Sequence, residues 1–156
     1  MFRLALTIAR FAASAWVGAA VLFVINGVQQ TTSGQFESMT TDQLVLLRFP
    51  AYYLMGFSLV GAALIGSAIS GGQLSFRRRG AVLGLFGLAL VTMLFDYLVV
   101  YLPLAEMITP PGKARTQGFQ TLHQWSKVIN SAELCLVLLG ALLLCWPTRK
   151  VPEQGV

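Results

Sequence analysis

The sequence predicts an all-α fold, a four-helix transmembrane bundle with both termini on the cytoplasmic side. Three observations lead there. Hydrophobic residues make up 56% of the 156 and charged residues only 11%, against roughly 25% charged in typical soluble domains, so there are too few ionisable groups to coat a soluble fold. The charges are clustered, which leaves four apolar runs near the roughly 20 residues a helix needs to cross about 30 Å of hydrocarbon. The Lys and Arg residues are also unevenly shared between the connections, as they are in membrane proteins with a defined orientation.

The first span is expected at about 4–26. Ala13-Ser14-Ala15 resembles a small-residue cleavage site, but Arg10 interrupts the apolar part of any leader and the run continues from Trp16 to Ile25, so a retained span is the better reading. Residues 27–49 read as a polar connection, with a short surface helix over Asp42–Phe49 capped by Thr40 or Thr41. The second span is expected at 50–70, with Pro50 in its first turn. Ser58, Ala62, Gly66 and Ser70 recur every four residues and form a small-residue stripe against which another helix packs. Gly71-Gly72 and Arg77-Arg78-Arg79 make a tight basic turn. The third span, 80–102, opens with the packing glycines Gly80 and Gly84, followed by Gly87, and Pro103 closes it. Pro110-Pro111-Gly112 stops any helix. The fourth span is expected at 122–146, and the polar tail 148–156 is expected to be disordered.

Orientation follows the basic residues. With both termini inside, Arg3, Arg10, Arg77, Arg78, Arg79, Arg149 and Lys150 lie on the cytoplasmic side, against Arg48, Lys113, Arg115 and Lys127 outside. Helical spans, in place of barrel strands, point to a bacterial inner membrane. The net charge of +5 sits beside apolar segments as membrane flanks do, so the expected partner is the lipid bilayer and nucleic acid is not expected.

Asp96 and Glu133 are the informative side chains, because an acidic group at a span centre costs about 2.5–3.5 kcal/mol on insertion scales and normally faces the bundle interior with a partner. Asp96 is expected roughly 9 Å below the outer surface and Glu133 roughly 16 Å deep. His123, Lys127, Asn130 and Glu133 follow spacings of four, three and three, which gives the fourth helix a polar seam in its outer half. Arg48 and Lys127 are the expected counter-ions: Asp96 pairs with either, and Glu133 with Lys127 or Asn130. Tyr52, Tyr53, Tyr97, Tyr101 and Asn26 lie near the same level as hydrogen-bonding groups.

Other chemistry finds little support. His123 is the only histidine, which excludes bis-histidine haem ligation within one chain, and no ligand spacing marks a metal site among His123, Met93, Met107 and the cysteines. Cys135 and Cys145 are about 15 Å apart along one helix, beyond the roughly 7 Å a disulfide spans. Ser126 near His123 has no Gly-rich elbow or oxyanion donor, so no enzyme is expected, and no cofactor. Two readings of the polar cluster remain. One is helix locking in a structural or complex-subunit protein, which includes a homo-oligomer. The other is a small ion, proton-coupled or metal transporter or channel that acts as an oligomer.

The stretch Phe119-Gln120-Thr121-Leu122-His123-Gln124-Trp125-Ser126 with Asn130 resembles a pattern in small bacterial four-helix membrane families of unassigned function. Ala15-Trp16-Val17-Gly18 and Arg48-Phe49-Pro50 are similar to the same group. The helix order more distantly resembles the copper-resistance-D type of membrane domain, which implies copper uptake or export. This chain differs from that group in its single histidine. The resemblance implies the fold far more than an activity.

Overall fold

A computed structural model describes residues 1–147, and the tail expected at 148–156 lies outside the described residues. Among them the architecture is four helices and no strand. We label these α1 (Phe2–Thr32), α2 (Ser38–Ile69), α3 (Phe76–Met107) and α4 (Gln117–Cys145), and each is long and apolar enough to cross a membrane. α1 packs on α2, α2 on α3, α3 on α4 and α4 on α1. Each helix therefore meets the two that adjoin it around the bundle.

Every helix runs past its apolar run, because a helix satisfies its own backbone whether hydrocarbon or water surrounds it. α1 continues six residues beyond Asn26. The separate surface helix expected over 42–49 does not form; α2 begins at Ser38 behind an extended Glu37 and passes through Pro50 without a break. Pro50 is therefore interior to the helix, not in its first turn. Its exposed ring lies off the packed face, so the lost backbone bond is the main cost. The connection between α1 and α2 shrinks to 33–37.

Pro103 does not end α3 either. The segment Asp96–Tyr101 is π-helical, and the Leu102 amide donates to the Tyr97 carbonyl five residues back. Widening the turn this way removes the demand for the amide that proline lacks, and the helix carries on to Met107. α4 starts five residues earlier than its apolar run, where the Thr116 hydroxyl accepts from the Phe119 amide at 3.3 Å, a standard cap.

The core holds Trp16, Val60, Phe86, Met93, Val137 and Leu144, all fully buried. Close approach is made by glycine at three places. A Cβ on Gly66 would lie 2.7 Å from the Ala5 carbonyl oxygen and 3.0 Å from the Ala9 Cβ. One on Gly56 would lie 2.8 Å from both Trp16 Cη2 and Met93 Cε, and one on Gly140 would run into the Phe86 ring. Of the expected stripe on α2, Gly66 and Ser70 are buried, Ala62 is half-buried, and Ser58 faces outward, bonded to its own Leu54 carbonyl at 2.8 Å. The buried face of α2 instead runs through Gly56, Val60, Ala63 and Ser67, a spacing of four, three and four. Gly80 and Gly84 are exposed and have no neighbour within 4 Å of a Cβ position.

At one end of the bundle arginines cap helix C-termini. Arg10 Nε donates to the Leu144 carbonyl at 2.8 Å, Arg78 to the Leu143 and Trp146 carbonyls, and Arg79 to the Ala68 carbonyl. These carbonyls lie at or just beyond the last turns of α2 and α4, where the negative end of each helix dipole favours a cation. Arg77 stays exposed.

Gly66→Ala is expected to lower stability by about 1–3 kcal/mol through overpacking against backbone. Gly84→Ala is expected to leave it unchanged or raise it by up to about 1 kcal/mol, through helix propensity alone. Thermal unfolding of both variants in mild detergent tests the contrast.

Candidate functional site: a buried polar network

The buried line of α4 is Phe119, Ser126, Glu133, Val137, Gly140 and Leu144, with the half-buried Asn130 filling the gap. Phe119 and Ser126 are two turns apart and the later positions repeat at three or four residues, so one face of α4 enters the interior along its length. Its polar members meet Asp96, which α3 presents at the first position of the π-helical segment.

Asp96 is 0% exposed. Its Oδ2 accepts from the Tyr53 hydroxyl of α2 at 2.5 Å and from Asn130 Nδ2 of α4 at 2.8 Å. Asn130 Nδ2 also donates to the Ser126 carbonyl at 2.9 Å and the Ser126 hydroxyl at 3.1 Å, and Asn130 Oδ1 accepts from the Tyr52 hydroxyl at 3.3 Å. One carboxyl oxygen thus ties α2, α3 and α4 together. Glu133, at 1% exposed, lies three residues further along α4, beside the indole of Trp16 but without the geometry of a hydrogen bond. Asp96 Oδ1, Glu133 Oε2 and Trp16 Nε1 are all buried and have no protein partner.

The expected counter-ions stand elsewhere. Arg48 donates to the Leu44 carbonyl of its own helix at 3.3 Å, and its guanidinium carbon lies 5.4 Å from the Phe23 ring centroid. Five residues separate Arg48 from Tyr53, about 140° around the helix, so the two point to different sides. Lys127 and His123 are exposed, and His123 stacks on Phe119 with ring centroids 5.9 Å apart. The one ion pair among the described residues is Arg115 with Asp42. Of the six polar residues singled out in the sequence, the structure gathers Asp96, Asn130 and Glu133 and leaves Arg48, His123 and Lys127 outside. The partners of Asp96 in place of cations are a phenol and an amide.

An aromatic layer closes the cluster towards the 33–37 end. Trp16 and Tyr52 centroids are 4.8 Å apart, Phe23 and Tyr52 4.4 Å, Tyr53 and Tyr101 5.2 Å, and Phe49 and Tyr101 stack at 5.6 Å. Packed rings exclude water, and in that dry setting hydrogen bonds to a carboxyl group are stronger than in water. Chemically the cluster joins helices and offers two acids to a proton or a cation. No three His, Cys, Asp or Glu side chains converge as a metal site among the described residues.

Two functional-looking residues escaped the sequence reading. Trp16 looked like one more apolar residue of a span. Asp42 looked like the charged end of a surface helix, yet it is 1% exposed. It accepts from the Gly112 amide at 3.0 Å and from Arg115 Nη2 at 2.7 Å, pinning the α3–α4 connection onto α2. Arg115 also lies 4.7 Å over the Phe119 ring. No local signal links Asp42 to a loop 70 residues away.

Tyr53→Phe and Asn130→Ala are each expected to cost about 0.5–2 kcal/mol, the range for interhelical hydrogen bonds in membranes. The double variant is expected to cost less than the sum, because both donors serve the same oxygen. Unfolding of the two singles and the double in detergent measures the coupling. No family model matches this chain, and no curated protein or solved structure is significantly similar to it.

Proposed function

We propose that this chain is a multi-pass protein of a bacterial inner membrane, without catalytic activity, that serves as a structural or interaction subunit. The observation that carries this reading is the Tyr53–Asp96–Asn130 junction, in which a buried acid is spent on joining three helices. Four apolar helices fit the membrane setting. Both termini inside is the orientation favoured by the basic residues, and Arg10, Arg78 and Arg79 gather at the end of the bundle that also holds the start of α1 and the end of α4. Exposed backbone at Gly80 and Gly84 supports a homo-oligomer, since bare glycine lets a second helix approach closely in lipid.

Glu133 favours a second reading. Structural glue satisfies its polar groups, whereas Glu133 Oε2 bonds to no protein group. An acid kept in the apolar interior under those terms fits a proton-coupled or ion-handling membrane protein that acts as an oligomer. The distant resemblance to copper-linked domains remains a proposal of fold only, because the acids and the single His123 do not assemble a soft-metal site.

Orientation is tested by thiol mapping on a background with Cys135 and Cys145 replaced by Ser. A membrane-impermeant reagent is expected to label Ser33→Cys in intact cells and Ser75→Cys only after permeabilisation; the reverse pattern would overturn the proposed topology. For the interaction role, cross-linking in native membranes is expected to trap a multimer or a complex. Gly84→Leu is expected to reduce a homo-oligomer at least severalfold while monomer unfolding stays unchanged.

A further inference from the structure

Three buried polar atoms have no protein partner: Asp96 Oδ1 on α3, Glu133 Oε2 on α4 and Trp16 Nε1 on α1. They come from three helices that meet around Tyr52 and Asn130. Trp16 packs on Tyr52 with ring centroids 4.8 Å apart, the Tyr52 hydroxyl bonds Asn130, Asn130 donates to Asp96, and Glu133 is the next inward-facing position of α4 after Asn130. Leaving such a group unpaired in the interior is unfavourable, so three together call for an occupant that pairs them.

The mixture of groups selects that occupant. An indole N–H only donates, and the two carboxyl oxygens accept. A bare metal cation wants oxygen acceptors alone, and the indole hydrogen would point its positive end at it. A water molecule both accepts and donates, and a buried water typically makes two to four such bonds. The groups facing the region from each helix are Trp16 from α1, Tyr52 and Tyr53 from α2, Asp96 with Tyr97 behind Tyr53 from α3, and Ser126, Asn130 and Glu133 from α4. None is a cation. Two carboxylates in this dry interior would carry two uncompensated negative charges, and protons are the compensation that needs no further side chain.

We propose that Trp16, Asp96 and Glu133 form a proton-binding site, in which a buried neutral water accepts from the indole and bridges the two carboxyls, which hold the protons. This deepens the ion-handling reading above and rests on it for any physiological role, though the site itself is testable without transport. The charge balance is simple. One proton on each carboxyl, with the bridging water neutral, makes a neutral site. Release of one proton leaves a single negative charge, spread over both acids and opposed by the Tyr53 and Asn130 donors on Asp96 Oδ2. The Trp16 indole is held in place by Gly56, where a Cβ would fall 2.8 Å from its ring.

The test uses the full chain, purified in detergent, with Trp125→Phe and Trp146→Phe so that Trp16 is the sole reporter. Emission from Trp16 is expected to change in a single step with pH while circular dichroism stays constant, and infrared difference spectra over the same step are expected to lose a protonated-carboxyl band that shifts in heavy water. Glu133→Gln is expected to abolish the emission step. Trp16→Phe, read by infrared alone, is expected to keep the band and move its frequency, which also serves if Glu133→Gln fails to fold. A pH-independent emission and infrared signal would overturn the proposal. So would a sodium or potassium titration at fixed pH that reproduces the step, which would make the occupant a metal cation. Proton flux in proteoliposomes is a separate measurement: a titrating site without flux keeps the site and removes the transport reading.

Discussion

A carboxyl group at Asp96 has to be solvated from within the bundle, because it is closed off from bulk solvent and no cationic side chain reaches it. That single requirement organises the middle of the bundle. Tyr53 and Asn130 do the solvating on one oxygen, which sets the rotation of α2 and α4 about their axes. Asn130 in turn has to be held, by Ser126 on its own helix and by Tyr52 across the interface. The rings of Phe23, Phe49, Tyr52, Tyr53 and Tyr101 then follow as the layer that keeps this network dry. Apolar packing alone would tolerate several rotations of these helices in lipid, where apolar contact with a neighbour and with an acyl chain are nearly equivalent. The polar junction discriminates among them.

The two acids have different standing despite their proximity. Asp96 has one satisfied oxygen and a clear mechanical task. Glu133 stands in the interior beside a tryptophan and joins nothing. A protein selected only for cohesion would gain by replacing such a group with a hydrophobe of similar volume. The asymmetry is the reason to attach cohesion to Asp96 and proton chemistry to Glu133, and to treat the pair as one site with two tasks.

Much of this was legible in the residues. The four spans follow from run length, and Asp96, Asn130 and Glu133 follow from the cost of polar groups in hydrocarbon. Helical periodicity places residues relative to one another on a helix but not the helix relative to its neighbours. For that reason His123 and Lys127, which share a stripe with Asn130, end up on the outer edge while Ser126 takes the interior position. Arg48 was matched to Asp96 by depth alone, and depth says nothing about rotation. The prolines misled for a related reason: Pro50 and Pro103 mark breaks in short soluble helices, but a long helix absorbs them with an exposed ring or a widened turn. Asp42 was unreadable because its partners lie in a loop 70 residues away.

The arginine caps impose an order of events on assembly. Arg78 sits in the first turn of α3, yet its acceptors, the Leu143 and Trp146 carbonyls, belong to the last turn of α4 and its exit. Arg10 near the start of the chain likewise waits for the Leu144 carbonyl. During synthesis these guanidinium groups emerge long before their acceptors exist. Nascent chains that stop before residue 143 would hold the first three helices with Arg10 and Arg78 still without these carbonyls, so the last helix is the piece that completes the caps and closes that end of the bundle.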